Sequence, residues 1–135
     1  MESKENLLKW YDEEYCLKAI EQDPLNLQYV KNPTEKIYLT AIKQDPQSLQ
    51  FIKKQTENIC LKAVKQNGLA LKYVKNQTKE MCLAAIKQNL LTLQYVKNLT
   101  EEICLEALNQ NKNAINFINI KKFPRIYEKY LFMIK

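Results

Sequence analysis

The chain of 135 residues contains no histidine, one glycine (Gly68), four prolines and, among its 21 basic residues, one arginine, Arg125. Without histidine, the side chain best suited to proton transfer near neutral pH and to zinc ligation is missing. One glycine excludes a phosphate-cradling loop and a Gly-x-Ser-x-Gly nucleophile elbow. So few glycines and prolines leave no flexible linker, and no shift in composition marks a second domain. The longest uncharged run near the N-terminus is too short to cross a bilayer, and the opening Met1-Glu2-Ser3-Lys4-Glu5 has no signal-peptide character. These absences lead us to expect an intracellular, non-enzymatic chain with no cofactor, no metal and no membrane partner.

What is present is repetition. Leu and Ala recur together at Leu17/Ala19, Leu39/Ala41, Leu61/Ala63, Leu83/Ala85 and Leu105/Ala107, a period of 22 residues. Gln22, Gln44, Gln66, Gln88 and Gln110 keep the same period, as do Tyr29-Val30, Phe51-Ile52, Tyr73-Val74, Tyr95-Val96 and Phe117-Ile118. A fixed short period is the mark of stacked supersecondary units. It predicts an all-α solenoid of about five helix-turn-helix repeats, at 12–33, 34–55, 56–77, 78–99 and 100–121, within a single domain spanning 1–135. Residues 1–11 and 122–135 read as half-repeat caps.

Within one repeat, Thr34 (with Thr56, Thr78, Thr100 and, in the first copy, Asp12) is a residue type that caps a helix N-terminus. Glu35 follows in the first turn and Lys43 falls in the last, which suits both ends of the helix dipole. The spacing predicts helix A over 35–44. Asp45-Pro46, repeated from Asp23-Pro24, then opens a helix B over about 46–54 that buries Leu49, Phe51 and Ile52. At Asn67-Gly68 the same reversal is expected from turn chemistry. Both helices are shorter than the roughly 12–15 residues an isolated helix needs, so stacking must hold them. Residues 2–10 read as a lone helix B closed by Trp10 and Tyr11, and Ile126 enters the cysteine column of a degenerate last helix A. Twelve short helices in one right-angled or gently curved stack are expected.

Cys16, Cys60, Cys82 and Cys104 share one column, filled by Tyr38 in the second repeat. Equivalent helices should lie about 8–10 Å apart, beyond the roughly 7 Å between Cα atoms that a disulfide spans, so reduced, packed thiols are expected. The aromatic column alternates Tyr and Phe, which points to core packing rather than to use of a hydroxyl. The glutamine column suits backbone groups freed where helix A ends. Lys9, Lys31, Lys53, Lys75 and Lys97 form a further column, joined by Lys54 and Lys72. Net charge is 0 for 1–11, then −3, +2, +3, +2 and −1 for the repeats and +3 for 122–135. Lysines at about 10 Å intervals stand near one Debye length apart and act only weakly together, which favours a solvated face. Phosphate contact is the alternative.

The stretch Ile-Cys-Leu-Lys-Ala-Val-Lys-Gln-Asn-Gly-Leu-Ala-Leu-Lys-Tyr-Val-Lys-Asn-Gln-Thr, residues 59–78, resembles the 22-residue helical repeat of an uncharacterised domain family of large DNA viruses of amoebae and some intracellular bacteria. The resemblance covers about 12–121. Repeats four and five depart at the turn, where Leu90 and Lys112 replace Gly or Pro, and this leaves the loop geometry there open. It implies a viral or host-cell setting, host cytoplasm if viral, and no catalytic residues.

Together these readings predict a scaffold that binds another protein through Gln28, Lys31, Gln50, Lys53, Lys72, Lys75, Gln94 and Lys97, taken as positions three apart on one face of helix B. Nonspecific nucleic-acid binding through the central lysines is the rival, and self-association a third mode.

Overall fold

A computed structural model describes residues 3–135; Met1 and Glu2, the latter counted above in the N-terminal helix, lie outside them. Five ten-residue α-helices recur at the expected period: α2 (Glu13–Gln22), α3 (Glu35–Gln44), α4 (Glu57–Gln66), α5 (Lys79–Gln88) and α6 (Glu101–Gln110). Each begins where a side-chain oxygen takes up an open backbone donor. The hydroxyls of Thr34, Thr56, Thr78 and Thr100 accept from the N–H three residues on at 3.2–3.3 Å, and the Asp12 carboxylate accepts from Glu14 N–H.

One residue both ends each of these helices and starts the next element. Asp23, Asp45, Asn67, Asn89 and Asn111 are extended, with φ between −151° and −158°. Their N–H donates to the alanine carbonyl four residues back at 2.9–3.0 Å, while their Oδ1 accepts from the N–H two residues on at 2.9–3.0 Å. The turn therefore depends on the Asp/Asn column and is the same at Leu90 and Lys112. The separate turn chemistry expected of Gly68 is absent, since its φ is not positive. Glycine is needed there for closeness: a Cβ would lie 2.9 Å from the Ala85 carbonyl oxygen and 3.1 Å from its Cα.

Helix B is not the α-helix of 46–54 that the sequence predicts. The returning leg is a six-residue 3₁₀ helix, seen as η2 (Pro24–Tyr29), η3 (Pro46–Phe51), η4 (Gly68–Tyr73), η5 (Leu90–Tyr95) and η6 (Lys112–Phe117). A 3₁₀ helix rises about 2.0 Å per residue and an α-helix about 1.5 Å, so six residues come near the length of the ten-residue leg they pack on. A short connection with a two-residue bend, at 31–32, 53–54, 75–76 and 97–98, then leads to the following cap, and 22 residues complete the unit.

With three residues per turn, the 3₁₀ leg turns Leu27, Leu49, Leu71 and Leu93 inward, and the aromatic two positions later faces out. Phe51 is 38% exposed, Tyr29 and Phe117 are also exposed, and Tyr73 and Tyr95 are half-buried, which corrects the expected burial of this column. The β-branched neighbour goes in instead, as at Ile52, Val74 and Ile118.

Two layers result. The α-helices pack on one another in chain order, and so do η2 to η6. Between them Ile20, Ile42, Leu49, Val64, Leu71, Ile86 and Leu108 lose nearly all contact with solvent. Each large aliphatic side chain buried this way contributes about 1.5–3 kcal/mol. At the ends, α1 (Lys4–Leu8) runs into η1 (Lys9–Tyr11), and α7 (Pro124–Met133) stacks on α6 with Ile126 buried in the cysteine column. Division of the first leg makes thirteen helical elements among the described residues, not twelve. Trp10 is buried as expected, whereas Tyr11 is 61% exposed and closes nothing.

Candidate partner-binding surface

All eight residues singled out in the sequence are exposed. They do not share one helix. Gln28, Gln50, Lys72 and Gln94 are the fifth residues of η2 to η5, but each 3₁₀ helix ends one position later, and Lys31, Lys53, Lys75 and Lys97 lie beyond its cap. The early end of the 3₁₀ leg moves the lysine column onto the edge formed by the bent connecting segments.

On that edge the lysines are ordered by the backbone. Lys75 Nζ donates to the Lys53 carbonyl at 3.0 Å, and Lys97 Nζ donates to the Lys75 carbonyl at 3.3 Å. Each ammonium thus reaches back by one repeat to the residue that precedes it in its own column. An ammonium has three donors, so a bond to one carbonyl leaves capacity for a partner. Lys72 is placed differently: its Nζ lies 5.0 Å from the Tyr73 ring centroid and 5.9 Å from that of Tyr95, a cation–π arrangement that also crosses between repeats. Gln50 turns back on its own helix, where its Nε2 donates to the Gln47 carbonyl at 3.1 Å.

Two residues that sequence reasoning missed hold this edge together. Gln77 Nε2 donates to the carbonyls of Leu71 (3.2 Å) and Tyr95 (2.8 Å), and its Oε1 accepts from Lys97 N–H (2.9 Å). Gln55 does the same one repeat earlier, donating to Leu49 (3.2 Å) and Tyr73 (2.9 Å) and accepting from Lys75 N–H (3.0 Å). Their signal was the pair Gln-Thr at 55–56 and 77–78, present in the central repeats and replaced by Pro33-Thr34 and Leu99-Thr100 on either side. The other glutamine column acts at the opposite edge. Gln88 Nε2 donates to the Val64 and Lys65 carbonyls at 2.8 and 3.0 Å, its Oε1 accepts from Gly68 N–H at 2.9 Å, and Gln66 donates to the Lys43 carbonyl at 3.1 Å. These are the open carbonyls at the end of the preceding α-helix.

An open cleft of about 430 Å³ lies between successive connecting segments, lined by Lys75, Gln77, Lys79, Lys97, Asn98 and Glu102 among others. Lys79 is paired with Glu102 and, at 3.1 Å, with Glu106; the hydrogen bond to Glu102 leads in raising its pKa. Cys82 also borders the cleft, yet it is buried, and burial pushes its thiol up from the usual range. Cys16 and Cys60 are raised for the same reason, and Cys104 is pushed up to about 11 by burial with a contribution from the Glu101 carboxylate. All four thiols are free and held protonated near neutral pH, so none is poised as a nucleophile.

These features define an α-solenoid of two-legged repeats that presents an ordered row of cations along one edge. The chain belongs to the family described as a domain of unknown function (DUF4116), whose sequence model matches it twice, over residues 34–78 and 78–123. Each match spans two of the 22-residue units, so the family's unit is a pair of repeats. No curated protein and no solved structure matches the chain. Among the described residues no helix is long and apolar enough to cross a membrane.

Proposed function

We propose that this chain is a non-catalytic scaffold that binds another protein through the lysine edge, and that the segment it takes is extended and acidic. The observation that carries the reading is the anchoring of Lys75 and Lys97 on the carbonyls of the preceding lysines. Cations already ordered on a regular lattice lose less side-chain freedom when a partner arrives, a cost of about 0.5–1.5 kcal/mol for each long side chain immobilised. The three central repeats carry net charges of +2, +3 and +2, which complements a run of carboxylates. The setting within this proposal is intracellular. A viral origin, with action in the host cytoplasm, rests on the resemblance of residues 59–78 alone.

One finding favours a second reading. The aromatic column is half-exposed rather than buried, and Lys72 lies over two of its rings. Aromatic faces beside lysines are also how single-stranded nucleic acids are held. Affinity purification from expressing cells, with and without nuclease, separates the two. A protein partner should survive nuclease and be lost from a Lys53→Glu/Lys72→Glu variant, whose altered ammonium groups make no backbone hydrogen bond. Capture that disappears with nuclease and weakens steeply with salt supports the second reading. A protein partner retained undiminished by the double variant sinks the proposed surface.

A further inference from the structure

Two rows of side chains run side by side along the stack with the same 22-residue period. Tyr29, Phe51 and Phe117 are exposed, and Tyr73 and Tyr95 half-buried, on the outer face of the 3₁₀ layer. Lys31, Lys53, Lys75 and Lys97 follow two residues after a ring, on the connecting edge, and the β-branched residue between turns inward, fully so at Ile52 and Val74. A ring and an ammonium thus flank the inward side chain in one repeat after another. Among the described residues the lysines that pair with a carboxylate are Lys18 and Lys79, so Lys31, Lys53, Lys72, Lys75 and Lys97 have none within ion-pairing distance.

The spacing of the rows selects the backbone that can follow them. Packed helices stand about 8–10 Å apart. Lys72 Nζ, at 5.0 Å from the Tyr73 centroid and 5.9 Å from that of Tyr95, bridges one such step. A β-strand brings a side chain back to the same face every second residue, at about 6.6–6.8 Å, and falls out of register at once. An α-helix returns at about 10.5 Å but only every seventh residue, and its carbonyls are already used within the helix. Polyproline II rises about 3.1 Å per residue with three residues per turn, so every third side chain returns at about 9.3 Å, and its carbonyls are free. Donors for those carbonyls stand at Gln28 and Gln94, both exposed on the same 3₁₀ legs.

We infer that the acidic segment taken by the lysine edge is a polyproline II helix of the partner protein, with Asp or Glu at every third position and Pro beside it. Of its three sides, one sets carboxylates on Lys31, Lys53, Lys75 and Lys97, the next lays prolines on the aromatic row, and the third faces solvent. Proline-rich segments dock on aromatic-lined surfaces in this way, and the preformed helix has little freedom left to lose. The inference rests on the proposed function and adds the partner's conformation and register to it.

The test is fluorescence anisotropy with labelled peptides at low ionic strength, where exposed ion pairs are least screened. The first peptide has four Glu-Pro-Ala triplets, one for each of the four lysines. The second has the same composition with its glutamates at alternate positions, and the third has Gln for Glu in the triplets. The first should bind about tenfold more tightly than the second, because several exposed pairs, each worth less than tenfold, are put out of register together. The third should not bind. Lys53→Glu and Phe51→Ala should each weaken the first peptide, and circular dichroism should show both variants folded, since both sites are exposed. Equal affinity for the first and second peptides overturns the inference and leaves the acidic-segment reading standing, as does a Phe51→Ala chain that binds the first peptide undiminished. No binding of the first peptide also overturns the inference, and if single-stranded oligothymidylate alone binds, the protein-partner reading falls with it.

Discussion

Removal of the Gln77 amide is the sharpest test of how the stack is held. Gln77→Ala deletes the bonds to the Tyr95 carbonyl (2.8 Å) and from Lys97 N–H (2.9 Å), both in the next repeat, and the bond to the Leu71 carbonyl (3.2 Å) in its own. A protein hydrogen bond contributes about 0.5–1.5 kcal/mol net, and a buried group left without its partner costs about 1–3 kcal/mol. The side chain is only half-buried, so water can reach part of what is exposed, and the expected loss is about 1–3 kcal/mol. Native domains hold about 5–15 kcal/mol in all, so this is a sizeable share. In urea, with a slope of about 1–3 kcal/mol per molar, the midpoint should fall by about 1 M when followed by circular dichroism. Because the bonds join neighbouring repeats, the transition should also broaden as coupling between the two halves of the stack weakens. Gln77→Glu sharpens the comparison, since a carboxylate keeps the acceptor for Lys97 N–H but loses the donor for Tyr95. Its deficit should shrink as pH falls below about 4, where the acid regains a proton to donate. Gln94→Ala, at an exposed position with no bond of this kind, is the reference. Equal midpoints for Gln77→Ala and Gln94→Ala would refute the amide ladder.

The outward aromatic column predicts that Phe51→Ala shifts the thermal midpoint far less than Leu49→Ala; a fully buried Leu loses about 2–5 kcal/mol on truncation, so a Phe51 loss as large would return that column to the core. Gly68→Ala should destabilise by about 1–3 kcal/mol, since the new Cβ meets backbone at 2.9 Å and this strain outweighs the roughly 0.4–1 kcal/mol gained from a stiffer unfolded chain; a more stable variant would show that the contact relaxes freely. For Cys104 the folded thiol is raised to about 11, above its unfolded value near 8.5, so its stabilisation is complete below about 8.5 and is lost as pH climbs through 11. The urea midpoint should fall over that window, less steeply in Cys104→Ala, and an equal slope in the variant would assign the fall to other groups.

The sequence alone determined the period, the α-helices and their ends. A threonine, or in the first repeat Asp12, before each repeat helix, a Leu-x-Ala stripe within it and an Asp or Asn after it are local instructions, carried out by atoms within four residues of one another, so they can be read along the chain. The chain also marked which residues would be exposed at Gln28, Lys31, Gln50, Lys53, Lys72, Lys75, Gln94 and Lys97. Tertiary structure decided the rest. The six residues after Asp45 wind as a 3₁₀ helix and not as an α-helix, and that winding turned Phe51 outward and Ile52 in. It also moved the lysines off the helix and onto an edge where carbonyls of the preceding repeat, 22 residues away, anchor Lys75 and Lys97. Gln55 and Gln77 were overlooked for the same reason: their partners include Tyr73, Lys75, Tyr95 and Lys97, 18 or 20 residues distant, and the Gln-Thr pair that marks them does not say what the amide reaches across the stack.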